Sequence, residues 1–207
     1  ILADLGVSSH QFDSAERGFS TRFDATLDMR MNSDDSLSGF EVVNEYKEEE
    51  LAQVLFQYGE LRNSRALARE IVQARGGALI ETSFQLKEVL RKYLPKAKEH
   101  KILAQIFQAI RIEVNQEMEV LKEFLLQTPD LLNKGGRLSV ISYHSLEDRL
   151  VKRFMRFGLF KGEPEKDFYG NVSVPFEKVG KLIIPSAEEI KKNNRARSAK
   201  LRIAEKN

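Results

Sequence analysis

Two short polar clusters hold the groups best able to do chemistry in this 207-residue chain. Asp4, Ser8, Ser9 and Gln11 follow the apolar run Ile1–Leu5, while Ser142, Tyr143, His144 and Ser145 close the run Arg137–Ser142. A carboxylate, hydroxyls, an imidazole and a carboxamide together can orient a polar ligand. In an open α/β sheet, ligands sit beyond the carboxyl ends of the strands, so two neighbouring strands would turn both clusters into one crevice. Each cluster taken alone is equally well explained as a strand-end turn or a helix cap. A nucleophilic set of Ser9, His144 and Asp4 has no motif behind it: Gly6-Val7-Ser8-Ser9-His10 lacks the second glycine of a nucleophile elbow. The histidines, at 10, 100 and 144, show no H-x-x-x-H or H-x-H spacing and there is no cysteine, so no metal site is expected. None of the twelve glycines falls in a G-x-G pattern, which leaves these residues without a glycine-rich phosphate loop.

Charge and aromatic residues collect elsewhere. Lys191, Lys192, Arg195, Arg197, Lys200 and Arg202 lie close together with no acid among them, and Arg149, Lys152, Arg153 and Arg156 share one helix. Together they could form a phosphate-binding face, or simply a solvated surface. The segment Arg17–Asn32 has neither helical nor strand period, yet contains Phe19, Phe23, Leu27, Met29 and Met31. It reads as an ordered loop packed over something, as a lid or a base-binding wall would be.

The elements that must position these groups follow from periodicity. Ile1–Leu5, Arg137–Ser142, Lys181–Ile184 and Ala199–Ala204 read as strands. The first two are nearly continuous in apolar character, as in buried parallel strands, and the last two read as half-buried strands near a sheet edge. Helices are expected at Glu48–Tyr58 and at Ser64–Arg75, the latter stopped by Gly76-Gly77. Another follows the Thr82/Gln85 capping box, and a long one spans about His100 to Gln127. Ser145 with Asp148 reads as a further capping box, opening the basic helix. Helices without an intervening strand from about Leu37 to Leu94 look like a helical insert in an α/β sheet. Phe160–Gly180 reads as a long surface loop.

Composition sets the outer limits. Hydrophobic content of 42% with 31% charged residues suits a globular protein and is too apolar for a disordered tail. No run approaches the roughly 20 apolar residues of a membrane-spanning helix. Lys+Arg at 33 against Asp+Glu at 31 argues neither for nor against nucleic acid, and the absence of cysteine fits a reducing compartment.

Five blocks in order, ILADLGVSSHQFDSAERGFSTRFDATLDMRM, YGELRNSRALAREIVQAR, IFQAIRIEVNQEMEVL, GGRLSVISYHSLEDRLVKRFM and NNRARSAKLRIAEK, resemble the bacterial 16S ribosomal RNA (cytosine-N4)-methyltransferases, the MraW/RsmH family. The resemblance covers almost the whole chain. It implies an α/β, Rossmann-like class I fold that uses S-adenosylmethionine, with an inserted all-helical subdomain. The methyltransferase domain would take residues 1–35 and 100–207 and the substrate-recognising insert residues 36–99. Carried over by motif, Asp4, Ser8 and Ser9 are the catalytic candidates and Asp4 and Gln11 the cofactor contacts. Arg22, Asp24, Arg111, Asn115, His144, Arg195 and Arg197 are the substrate-binding candidates. The partner implied is 16S rRNA or the small ribosomal subunit in the cytoplasm, with no membrane and no metal. His10 stands where the family commonly has Pro, and Tyr143 where Phe is common. Because the chain opens without Met on an apolar run, it is expected to be the C-terminal two-thirds of such an enzyme, the glycine-rich cofactor loop preceding Ile1. The first strand is then expected to form an unpaired edge through which two copies could pair as a homodimer. A non-catalytic RNA-binding fragment is the alternative function.

Overall fold

The computed structural model describes residues 1–8, 11, 17–164, 168–170 and 172–207. Ser9, His10 and Phe12 lie outside the described residues. The chain is a mixed α/β protein dividing into two compact units, one of residues 1–6 and 117–207 and one of residues 7–116.

The first unit holds a four-stranded sheet. Its strands are β1 (Leu2–Asp4), β2 (Arg137–Ser142), β3 (Phe176–Lys178) and β4 (Lys200–Lys206), in the order β1-β2-β4-β3. β1 runs parallel to β2 with Asp4 opposite Ile141, whereas β4 is antiparallel to both β2 and β3. β2 turns Leu138, Val140 and Ser142 inward, the period-2 burial of a strand covered on that face. The composition of Ile1–Leu5 suggests a buried strand and the resemblance an edge strand; β1 is at the edge, and Leu2 is 72% exposed. Lys181–Ile184 is not a strand. It touches β4 through one isolated bridge, Ile183 with Leu201, and the outer strand is Phe176–Lys178 within the segment read as a loop. β4 lies between β2 and β3 rather than at an edge, because its backbone serves both neighbours.

Helices α6 (Glu117–Leu131) and α7 (Ser145–Phe157) belong to the same unit. Leu121 and Leu125 from α6 and Val151, Phe154 and Met155 from α7 share an apolar core with Leu138, Val140, Phe176 and Ala204. α7 ends at Gly158, whose φ of 69° and close approach to Pro175 (a Cβ there would meet Pro175 Cδ at 2.8 Å) both require glycine. A short helix, α8 (Ala187–Lys192), and a 3-10 turn (Asn194–Ser198) lead into β4.

The second unit is helical: α1 (Gly39–Glu45), α2 (Glu48–Gln57), α3 (Ser64–Arg75), α4 (Ser83–Val89) and α5 (Glu99–Val114). Leu51, Leu55, Leu67, Ile71, Leu86, Ile106 and Ile110 are fully buried in one core, each worth about 1.5–3 kcal/mol over an exposed position. Leu27 and Met29 from the preceding loop join that core, so the segment is an ordered, packed loop as its composition suggested. A helical insert is expected over 36–99, and these residues all lie within the compact unit 7–116, whose core the preceding loop and α5 also share.

The expected helix from His100 to Gln127 is two helices. Asn115 donates to the carbonyls of Arg111 and Met29, each at 2.8 Å, and accepts the Met31 N–H at 2.6 Å, while Gln116 takes a φ of 49°. A side chain that competes for backbone groups, followed by a left-handed residue, ends the helix. The α7 cap is also shifted by one residue: His144, not Ser145, is the N-cap, and Glu147, not Asp148, completes its capping box.

Asp148 instead ties α7 to β4. It accepts from Arg202 Nε at 2.8 Å and Nη2 at 3.1 Å, and from Lys200 at 3.3 Å. Burial would raise its carboxyl, but Arg202 and Lys200 outweigh burial and hold it below the ordinary range. Asp148→Ala is expected to lower stability at neutral pH by about 2–3 kcal/mol, since it leaves a largely buried guanidinium unpaired. A depressed carboxyl stabilises above its unfolded pKa and stops doing so as pH falls through the folded one. The difference between parent and variant should therefore shrink below about pH 4 in urea melts. A difference that does not change with pH would dissociate the ion pair from the effect.

Candidate functional site

Parallel pairing of β1 with β2 brings their carboxyl ends together, and antiparallel β4 adds its amino end. Asp4, Tyr143, His144 and Lys200 therefore share one end of the sheet. Tyr143 Oη donates to Asp4 Oδ1 at 2.8 Å. Asp4 is exposed, and its Oδ2 has no partner among the described residues. Burial first, then the Asp4 hydrogen bond and the Asp4 and Glu147 charges, push the Tyr143 phenol up to about 12. It is thus a neutral donor throughout the physiological range.

The turn behind Tyr143 is fixed by a buried carboxylate. Glu147 Oε2 accepts the backbone N–H of Tyr143 at 2.9 Å and of His144 at 3.3 Å, and Glu147 is 2% exposed. Burial alone would raise this carboxyl, but His144 and the two N–H groups keep it low. His144 Nδ1 accepts the Glu147 N–H at 3.5 Å, and its Nε2 lies 3.2 Å from Glu147 Oε1, a close polar contact rather than an aligned hydrogen bond. Glu117 joins them, so that ligand atoms of Glu117, His144 and Glu147 lie within 4.8 Å of one another. These three could surround a metal ion, an arrangement that histidine spacing does not reveal. The cap opposes it: as an acceptor Nδ1 carries no proton, so Nε2 does, and a metal on Nε2 would require the reverse tautomer.

Beside this end of the sheet lies a cleft of about 360 Å³, lined by Tyr143, His144, Ser145, Ile184, Pro185, Ile190, Arg197, Ser198, Ala199 and Lys200. It has apolar walls, a hydroxyl and imidazole margin, and cations on one flank. Of the residues anticipated from motifs, Asp4, His144 and Arg197 meet at this end of the sheet unit. Arg195 is in the adjoining 3-10 turn, where its N–H is held by Asn193 Oδ1.

The other anticipated residues belong to the helical unit. Ser8 and Gln11 make a reciprocal pair, Ser8 N–H to Gln11 Oε1 at 2.9 Å and Gln11 N–H to Ser8 Oγ at 3.2 Å. Asp24 accepts the Phe84 N–H at 3.1 Å at the start of α4; a hydrogen bond from Thr82, then that N–H, lowers its carboxyl. Asn115 clamps the loop at Met29 and Met31. Arg111 is half-buried and Arg22 exposed. Ser9, the remaining catalytic candidate, lies outside the described residues. Motif reading passed over Glu147, and it placed Lys200 in a basic cluster and Tyr143 in the strand-end cluster without linking either to Asp4 or Asp148. The three-residue step from His144 to Glu147 is the signal for the first, once histidine is admitted as a helix cap.

The family described as the MraW methylase family matches residues 1–207. Among curated proteins, the chain is 69% identical to "Ribosomal RNA small subunit methyltransferase H" of Flavobacterium johnsoniae, over 100% of this chain and 68% of that protein. It is 68% identical to the protein of that name from Christiangramia forsetii, again over 100% and 68%. For the one from Bacteroides fragilis identity is 56%, with the same coverage.

The Tyr143–Asp4 contact can be read by NMR titration of tyrosine ring carbons. Asp4→Asn should lower the Tyr143 pKa from about 12 toward, without reaching, the ordinary 10, since burial remains. An unchanged titration would show that Asp4 does not hold the phenol.

Proposed function

The chain belongs to the MraW methylase family, and from that premise we propose that it methylates N4 of a cytidine in the decoding region of 16S rRNA, with S-adenosylmethionine as donor. The observation that carries this reading is the exposed Asp4 carboxylate at the strand end, one oxygen fixed by Tyr143 and the other open, beside a base-sized cleft flanked by Arg197 and Lys200. Names of relatives supply the rRNA substrate class. The fold class that goes with the proposal is a Rossmann-like class I methyltransferase, with residues 36–99 as the substrate-recognising helical part.

Cytosine N4 is a poor nucleophile because its lone pair is delocalised into the ring. Asp4 Oδ2 accepts one N4–H and turns the amino group so that its lone pair points out of the ring plane. Tyr143 keeps Asp4 in that orientation, and positioning of this kind supplies much of the rate in a displacement that needs little acid–base chemistry. When bound, S-adenosylmethionine supplies an electrophilic methyl group on a sulfonium, and an open carboxylate is an appropriate neighbour for that positive charge. As N4 gains its methyl carbon it becomes acidic and gives up one proton to water from the exposed side of Asp4. Tyr143, Ile184 and Pro185 offer apolar surface to an extruded base, a contact worth roughly 1–3 kcal/mol when aromatic. Arg197 and Lys200 take the flanking phosphates.

Methyl incorporation into 16S rRNA, read as N4-methylcytidine by nucleoside mass spectrometry, tests the proposal. Asp4→Asn is expected to lower transfer by about 100-fold or more at unchanged RNA affinity. Arg197→Ala is expected to weaken RNA binding and lessen its salt dependence. Parent-like turnover by Asp4→Asn would remove Asp4 from the mechanism. A parent chain that binds rRNA and transfers no methyl would leave the RNA-binding reading in place of the catalytic one.

A further inference from the structure

We propose that a second cleft of the sheet unit, between α7 and the β3–β4 edge, holds one nucleotide of single-stranded RNA outside the methylation site. The cleft is about 440 Å³, within the range of roughly 300–1,000 Å³ of small-molecule sites. Its floor is apolar: Met155 and Phe176 are buried, and Val179, Leu182 and Ile203 complete it. Its rim is cationic, with Lys152 and Arg156 from α7 facing Lys178 and Lys181. Among the described residues no carboxylate pairs with Lys152, Lys178 or Lys181, and Glu177 is the one acid in the lining. Arg202, also in the lining, is already neutralised by Asp148.

An apolar floor inside a cationic rim suits a planar base below and phosphates above, the combination by which single strands are held without sequence readout. An acidic peptide would satisfy the rim and leave the floor in water. The two clefts also share β4: Lys200 lines the one at the proposed catalytic end, and Arg202 and Ile203, two and three residues further on and so about 7–10 Å away at strand rise, line the other. An RNA strand entering the first cleft can pass along β4 to reach the second. The inference rests on the rRNA-methyltransferase reading above.

Fluorescence anisotropy with a short single-stranded RNA separates the two ideas. The double variant Lys178→Ala/Lys181→Ala, whose melting temperature should match the parent, is expected to bind about tenfold more weakly near 50 mM salt, and its log–log salt slope should fall by about 1.4, or two phosphates. Ultraviolet crosslinking of thiouridine-substituted RNA should label the peptide containing Phe176–Leu182. If the parent binds RNA and Arg197→Ala weakens that binding while the double variant does not, the second cleft is overturned and the rRNA reading stands. If the parent binds no RNA, the rRNA reading itself fails. If polyglutamate displaces the RNA through the same lysines with equal affinity, the cleft is a protein-docking surface and the nucleotide assignment is overturned.

Discussion

The buried carboxylate of Glu147 fixes the end of the sheet on which the candidate site stands. Leaving β2, the chain must turn into α7, and a helix start presents backbone N–H groups without intrahelical partners. Glu147 reaches back to two of them, at Tyr143 and His144, and is kept ionised there by those groups and by the imidazole. With the Tyr143 backbone fixed from behind, its ring projects toward β1 and its hydroxyl meets Asp4. The neighbouring Asp148 points the other way, to Arg202 and Lys200 on β4. Two consecutive carboxylates thus set both the turn and the strand that flanks it.

The resulting site has a division of charge. Acidic Asp4 stands at the end of β1, and the Arg197 and Lys200 cations stand where β4 begins. A ligand with a hydrogen-bond-donating amine at one end and a phosphate at the other matches that polarity, whereas a small anion or a small cation matches only half of it. Much of Asp148's charge is taken up by Arg202, so Lys200, 38% exposed at its side chain, retains part of its field for solvent-side partners.

Much of the local structure was legible in the sequence where a single physical signal dominates. α3 spans Ser64–Arg75 and β2 spans Arg137–Ser142, both as the apolar period indicates, and Thr82 with Gln85 caps α4. Failures came where two signals conflict. The apolar stripe runs unbroken from Val114 to Met118, yet Asn115 captures a carbonyl and Gln116 turns left-handed between them. β3 is three residues long and buries only Phe176, too short for an alternation to register. Lys181–Ile184 has strand composition but leaves Ile183 and Ile184 half-exposed or more and makes a single bridge. At the site, strand-end clustering pointed to Asp4 and His144 in one crevice and the structure adds Arg197 there, while several other motif residues, such as Asp24 and Asn115, turned out to hold loops through backbone hydrogen bonds. A motif records that a side chain matters; whether it touches a ligand or its own backbone depends on tertiary neighbours.

The position of β4 has a consequence for biosynthesis. Of the four strands described, it is translated last, yet it fills the gap between β2 and β3. Until it emerges, β2 lacks its second neighbour, Asp148 has no guanidinium, and one flank of the candidate cleft does not exist. Folding of the sheet unit is therefore coupled to the end of this stretch of translation: a nascent chain carrying everything through β3 holds a half-built site with an open strand edge, exposed to pairing with other chains.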